Sequence, residues 1–310
     1  MSLVELALKK MQAARASADD KQSASNAAKP ARPQSRLAEG VIGEVVARGS
    51  HRPLEDLDAP LPPNHNKMVR IDQVALRLAG LAPPEHQHRQ IADQYRHVKR
   101  PLIGAATGRG VPKVDRGQLI MMASAMSGEG KTFTSINLAL SMALEKDVHV
   151  LLVDADVAKP HISRILGVER ELGLMDVLRD PALNIESVIL PTDVSNLSVL
   201  PAGQRSETAT ELLASQRMEE TVKYLASSDA SRIVLIDSPP LLLTSESRAL
   251  AQCVGQVVIV VRADITPQQA VLDAINKVGE NKSISLVLNQ AKVTTSTYYG
   301  YGDASHVPVD

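Results

Sequence analysis

The chain has 310 residues and a formal net charge of −1, which excludes the strongly basic signature of a nucleic-acid binder. Aromatic residues make up only 2%, with no Trp and Phe133 the sole Phe, so the core is expected to be aliphatic. The single cysteine, Cys253, rules out an intramolecular disulfide and favours a reducing cytosol; no apolar run approaches the roughly 20 residues of a bilayer span, so a soluble, cytoplasmic protein is expected.

Ser2 to Arg15 read as a short amphipathic helix with Leu3, Leu6, Leu8 and Met11 near one face, either a frayed end or a docking peptide. It lacks the basic end and apolar core of a secretory signal. From Ala16 to Asn66 the composition shifts to Ala, Ser, Pro and charged residues, and Pro30, Pro33, Pro53, Pro60, Pro62 and Pro63 interrupt any regular element. Residues 1–66 are therefore expected to form a flexible N-terminal segment. A helical lead-in, 67–117, follows. Val74, Leu76, Leu78 and Leu81 belong to a first helix that breaks at Pro83-Pro84, and a second, His86 to Lys99, is expected to stop before Pro101. Gly104 to Gly117 reads as a loop.

From Gln118 the pattern becomes short apolar runs separated by longer stretches with helical spacing. The runs are 118–123, 148–153, 197–200, 233–236, 256–261 and 284–288, rich in Val, Ile and Leu without polar alternation. That is the pattern of parallel strands covered on both faces. The expected fold class for 118–296 is α/β, a doubly wound, mostly parallel sheet with helices on both faces.

In open parallel sheets ligands bind beyond the carboxyl ends of the strands. Here the first run leads into Ala125-Met-Ser-Gly-Glu-Gly-Lys-Thr132, a P-loop pattern with Ala125 in place of its first Gly. Gly128 and Gly130 let backbone N–H groups turn toward phosphate oxygens, and Ser127, Glu129 and Phe133 complete the local nucleotide-binding set. Lys131 supplies charge to the β- and γ-phosphates of ATP, and the Thr132 hydroxyl suits Mg2+. The second run ends at Asp154-Ala-Asp156 and the third at Pro201-Ala-Gly203. The fourth ends at Asp237, in the position of a Walker B acid, the fifth at Arg262 and the sixth at Asn289. Arg262 and Asn289 are further nucleotide-binding candidates. Thr132, Asp156 and Asp237 are the candidate metal ligands. Asp154 is a candidate base for an attacking hydroxyl, or the pair gives only metal support. Lys131, Asp154, Asp156 and Asp237 form the catalytic set.

Three of the five tyrosines, Tyr298, Tyr299 and Tyr301, fall in Thr297-Tyr-Tyr-Gly-Tyr-Gly302. Glycines and small polar residues around them predict a mobile tail, 297–310, whose hydroxyls offer phosphate acceptors for an active site, or else an exposed recognition patch.

Together, Gly130-Lys-Thr132, Val153-Asp-Ala-Asp156 with Lys159-Pro160, Ile236-Asp-Ser-Pro-Pro240, Val287-Leu-Asn289 and the tyrosine cluster resemble the bacterial tyrosine kinase family, P-loop autokinases of capsule and exopolysaccharide synthesis. The resemblance covers about Asp93 to the C-terminus. Asp93, Arg96 and Lys99 look like that family's self-association motif with like-charged replacements. The resemblance implies transfer of the γ-phosphate of Mg-ATP to tail tyrosines in trans within a ring-like homo-oligomer. It also implies a membrane activator of the chain-length-determinant type that recruits the chain to the inner membrane face, and a phosphotyrosine phosphatase. Ser2-Leu-Val-Glu-Leu-Ala and Ile71-Asp72 look like the exosortase-associated, PEP-CTERM-locus branch. Departures are Ala125, Ala158 where Arg is frequent, and a proline-free 204–208 loop. The alternatives are a partitioning or cell-division type ATPase, whose second P-loop lysine is replaced here by Met126, and a nucleotide-gated scaffold without kinase activity.

Overall fold

A computed structural model describes residues 67–280 and 282–291. The expected N-terminal helix, the linker and the tyrosine tail lie outside the described residues. The strands are β1 Leu119–Ser124, β2 His149–Asp154, β3 Leu190–Pro191, β4 Leu197–Leu200, β5 Arg232–Asp237, β6 Gln256–Arg262 and β7 Ser283–Asn289. They form one sheet in the order β3-β4-β2-β5-β1-β6-β7. Every pairing is parallel except β3 with β4. Each expected run is a strand to within one residue at its ends. The two-residue β3, too short to show a period, is the addition.

Among the described residues the α-helices are α1 Gln73–Leu78, α2 His88–Thr107, α3 Lys131–Met142, α4 His161–Ile165, α5 Leu174–Arg179, α6 Ala209–Leu213, α7 Gln216–Ser227, α8 Glu246–Cys253 and α9 Gln268–Val278. β1 lies in the interior of the sheet, fully buried along its length, between β5 and β6. The chain leaves β1 for β2 on one side and later crosses β1 between β5 and β6, so the order reverses beside the P-loop. Such reversals open the crevice in which α/β sheets bind ligands. The core is aliphatic as expected, with Tyr95 as a buried exception packed among Leu76, Leu102, Leu138 and Met142.

α1 is initiated by Asp72, whose carboxylate accepts from the N–H groups of Val74 at 2.8 Å and Ala75 at 3.1 Å. Only Leu76 of its apolar residues is buried; Val74 and Leu78 face water. The turn after it is tied to α3, where the Asn137 side-chain amide donates to the Leu81 carbonyl at 2.9 Å.

α2 corrects two expectations. Pro101 does not end it, and 104–107 are helical rather than loop. Pro101 and His97, whose carbonyl loses its helical donor, are both exposed, so the break in the hydrogen-bond ladder falls on the solvent side of the helix. Beyond them, Leu102, Ala105 and Ala106 are buried and hold the last turns to the core. The helix stops instead at Gly108, in the left-handed region with φ 76°, its N–H closing on the Gly104 carbonyl.

Lys99 turns inward. It is 5% exposed, and its ammonium donates to the Ser141 carbonyl at 2.6 Å and pairs with Glu145 at 2.8 Å. Asp93 and Arg96 pair with each other on the exposed face of α2. The three charges therefore do not share one surface: Lys99 fastens α2 to the end of α3. Lys99→Ala strands a buried carbonyl and is expected to lower stability by about 3 kcal/mol. Arg96→Ala is expected to leave the urea midpoint unchanged; equal midpoints for the two variants would contradict this division of roles.

Candidate functional site

The P-loop runs from β1 into α3, and its shape follows from its residue types. Gly128 and Gly130 have φ of 83° and 89°, the left-handed region in which side chains are strained. A Cβ on Gly130 would also meet the Asn289 amide nitrogen at 2.0 Å. Ala125, by contrast, is fully buried and not left-handed, which explains why Ala replaces Gly there without disturbing the loop. α3 begins at Lys131 with Gly130 as its cap and no side-chain capping bond, leaving the helix N-terminus available to an anion.

Lys131 is 8% exposed. Its ammonium lies 3.3 Å from Asp237 Oδ1 and 3.8 Å from Asp156 Oδ2. Asp237 is further held by the hydroxyls of Thr132, donating to Oδ2 at 2.8 Å, and Ser135, donating to Oδ1 at 2.9 Å. Parallel pairing sets Asp154 directly beside Asp237 across β2 and β5. Asp154 is fully buried, and its Oδ2 accepts both the N–H and the hydroxyl of Ser163 at 2.8 Å. Its Oδ1 has no partner. The Ser163 hydroxyl in turn accepts from Ala202 N–H at 3.0 Å, so the end of β4 positions α4 behind the site.

Burial, with the Asp237 charge next in weight, pushes the Asp154 carboxyl up from its ordinary 3.8 to about 7. Burial also raises Asp156, against the opposing pull of Lys131. Two carboxylates, Asp156 and Asp237, thus share one ammonium, with Asp154 beside them. The unpaired Oδ1 and the surplus negative charge fit a divalent cation, which Thr132, Asp156 and Asp237 would hold. Among the described residues no three His, Cys, Asp or Glu side chains converge as a closed metal cage. An open arrangement completed by phosphate oxygens is what Mg2+ prefers.

A cavity of about 870 Å³ opens over this centre. Ser127, Gly128, Glu129, Gly130, Lys131, Thr132 and Phe133 line it, with Asp156, Lys159 and His161 on the facing wall and Asn289 at one end. The turn Ala79-Gly-Leu81 after α1 also contributes. Asp154, Asp237 and Arg262 do not line the cavity: the two acids stand behind Lys131, and Arg262 enters the local network through its backbone N–H, which donates to Thr266 Oγ1 at 3.1 Å. Sequence reading missed Ser135, Ser163 and Thr266. The first could have been found from its place one helical turn after Lys131; nothing in the spacing signals the other two. Lys159 stands on the wall where Ala158 leaves no side chain to reach.

The folded chain keeps the Asp154 proton up to about pH 7, whereas the unfolded chain releases it near its ordinary 3.8. The folded state therefore binds more protons in that window, and stability falls as pH rises through it. Asp154→Asn removes this fall. In urea unfolding without nucleotide, its advantage over wild type is expected to be larger at about pH 8 than at about pH 5, and a pH-independent difference would contradict the buried-acid assignment.

Comparison with known proteins agrees with this geometry. The family profile described as "AAA domain" matches residues 117–288. Tyrosine-protein kinase YwqD of Bacillus subtilis (strain 168) is 29% identical over 212 residues, 68% of this chain and 85% of the relative. Tyrosine-protein kinase Wzc of Salmonella typhi is 29% identical over 186 residues, 59% of this chain but 25% of that much longer protein. Among solved structures, the VpsO kinase domain is 27% identical, with a TM-score of 0.55, covering 67% of this chain and all of that one. The kinase domain of Escherichia coli ETK, at 24% identity and a TM-score of 0.55, covers 68% of this chain and 80% of that one and shares the fold. The site binds nucleotide, and the chain belongs to the AAA-domain family and, within it, to the bacterial tyrosine kinases.

Proposed function

We propose that this chain is an ATP-dependent protein-tyrosine autokinase that phosphorylates Tyr298, Tyr299 and Tyr301 of a neighbouring copy and thereby regulates exopolysaccharide synthesis. One observation carries the reading: Lys131 stands between Asp237 and Asp156 at the floor of a cavity lined by the P-loop. Phosphate oxygens entering the P-loop draw Lys131 away from Asp237, and the loop N–H groups and the α3 N-terminus take the remaining charge. Thr132, Asp156 and Asp237 would hold Mg2+, which would neutralise phosphate charge when bound. The acceptor tyrosine oxygen bonds to the γ-phosphorus as the bond to the β–γ bridging oxygen breaks, and ADP leaves. The phenol proton passes to a carboxylate. Asp154 and Asp156 are the two candidates to receive it: Asp156 faces the cavity, and Asp154, raised toward neutrality, stands behind it and accepts from Ser163.

Self-association through α2 rests on Asp93 and Arg96, which are exposed, with Lys99 securing the helix from within. The family resemblance supports, as part of the same proposal, an activator of chain-length-determinant type, a phosphatase and recruitment to the inner membrane face. Among the described residues no helix is long and apolar enough to cross a membrane. Met126, half exposed where partitioning ATPases place a second lysine, supports the kinase over that reading.

Purified protein incubated with ATP and magnesium is expected to acquire phosphotyrosine at the tail, detected by mass spectrometry. Lys131→Ala abolishes the label, and the triple Tyr298/Tyr299/Tyr301→Phe variant lacks it while still hydrolysing ATP. Hydrolysis without tail phosphate in wild type would point to a regulatory ATPase, and neither reaction would point to a scaffold.

A further inference from the structure

Glu129 places a carboxylate in the middle of an anion-binding loop, where its charge opposes phosphate. The structure gives it another task. Glu129 is 3% exposed, and both carboxylate oxygens are engaged. Oε2 accepts the Met126 N–H at 2.8 Å, closing the turn from within. Oε1 accepts the hydroxyl of Thr266, which lies beyond the end of β6. The Glu129 carbonyl accepts the Asn289 side-chain amide, at the end of β7, at 2.9 Å.

The Thr266 side is itself fixed. Its hydroxyl accepts from the Arg262 N–H at 3.1 Å, and its own N–H donates to the Arg262 carbonyl at 3.0 Å. Asp264, between them, has a φ of 60°, a conformation unusual for a residue with a side chain, and this is the bend that returns Thr266 to β6. Two strand ends therefore grip one P-loop residue at two separate atoms.

We propose that Thr266 is a positioning residue of the nucleotide site: through Glu129 it holds the P-loop in its phosphate-binding shape before nucleotide arrives. An unliganded loop of inward N–H groups has no anion to organise it, and a preformed shape avoids an ordering penalty on binding. The Glu129 carboxylate, fully satisfied by the turn and by Thr266, is kept from competing with phosphate for the N–H groups of Gly130, Lys131 and Thr132. The proposal rests on the nucleotide-site reading and is independent of phosphoryl transfer.

The test is calorimetric titration of the full chain with ATP and, separately, with ADP, alongside thermal unfolding without ligand. Thr266→Val keeps the shape and deletes the hydroxyl, and loss of its charge-assisted bond to Glu129, together with the bond it accepts from the Arg262 N–H, is expected to weaken both nucleotides about tenfold. Thr266→Ser restores the hydroxyl and is expected to bind and melt as wild type, whereas Thr266→Val, which leaves the buried Glu129 oxygen and the Arg262 N–H without their partner, is also expected to melt lower without ligand. Should Thr266→Val fail to fold, Glu129→Gln serves instead, because its amide can accept only one of the two donors; it too is expected to weaken both nucleotides. Wild-type affinity in the Val variant, or in Glu129→Gln where that replaces it, would overturn the proposal, as would a Ser variant as weak as Val. Lys131→Ala is the reference. If it loses nucleotide while Thr266→Val does not, the latch is wrong and the site stands; if wild type binds no nucleotide, the site reading itself fails.

Discussion

The ammonium of Lys131 pairs with two carboxylates, Asp156 and Asp237, and a third, Asp154, stands beside Asp237 in the sheet register. Parallel register forces the problem, because the last residues of β2 and β5 lie side by side and both are aspartate. Charges a few ångströms apart with little water between them interact far more strongly than on a surface. The chain answers with neutral donors: Thr132 and Ser135 on Asp237, and Ser163 on Asp154. They do not close the account, since Asp154 retains a bare oxygen and a strong preference for its proton. A phosphate arriving alone would add to the surplus of negative charge. One arriving with a divalent cation would relieve it, which supports the proposal of a metal–nucleotide complex.

The scaffold makes that arrangement rigid. β1 is buried on both faces and delivers the P-loop to the crevice where the strand order reverses. Lys99, drawn into the interior, fastens α2 to the far end of the helix that carries Lys131 at its start. Gly130 admits the Asn289 amide where any side chain would collide, which places the end of β7 against the loop. The cavity is not made by the AAA-domain residues alone: the turn Ala79-Gly-Leu81, N-terminal to the matched segment, forms part of its wall.

Much of this was legible in residue order. Unbroken runs of Val, Ile and Leu mark strands because both faces are covered, so six of the seven strands emerge nearly to the residue. Gly128, Gly130, Lys131 and Asp237 stand out because their chemistry is tied to fixed spacing. What escaped depends on the third dimension. The exposed side of α2 tolerates Pro101, and only the packed side reveals why the helix continues. Lys99 falls at the same three-residue step as Asp93 and Arg96, yet lies on the inward side of α2. Thr266 acts through an acid far away in sequence, and the Arg262 backbone N–H joins the same network.

The central claim is that Lys131 is held by Asp237 and released to nucleotide phosphate with a metal ion between the acids. A crystal structure with a non-hydrolysable ATP analogue and magnesium tests it most directly. The account predicts that Lys131 leaves its 3.3 Å contact with Asp237 for the phosphates, with the cation beside Thr132 and Asp237. An analogue seated elsewhere, or a Lys131 still paired with Asp237 beneath bound phosphates, would contradict it.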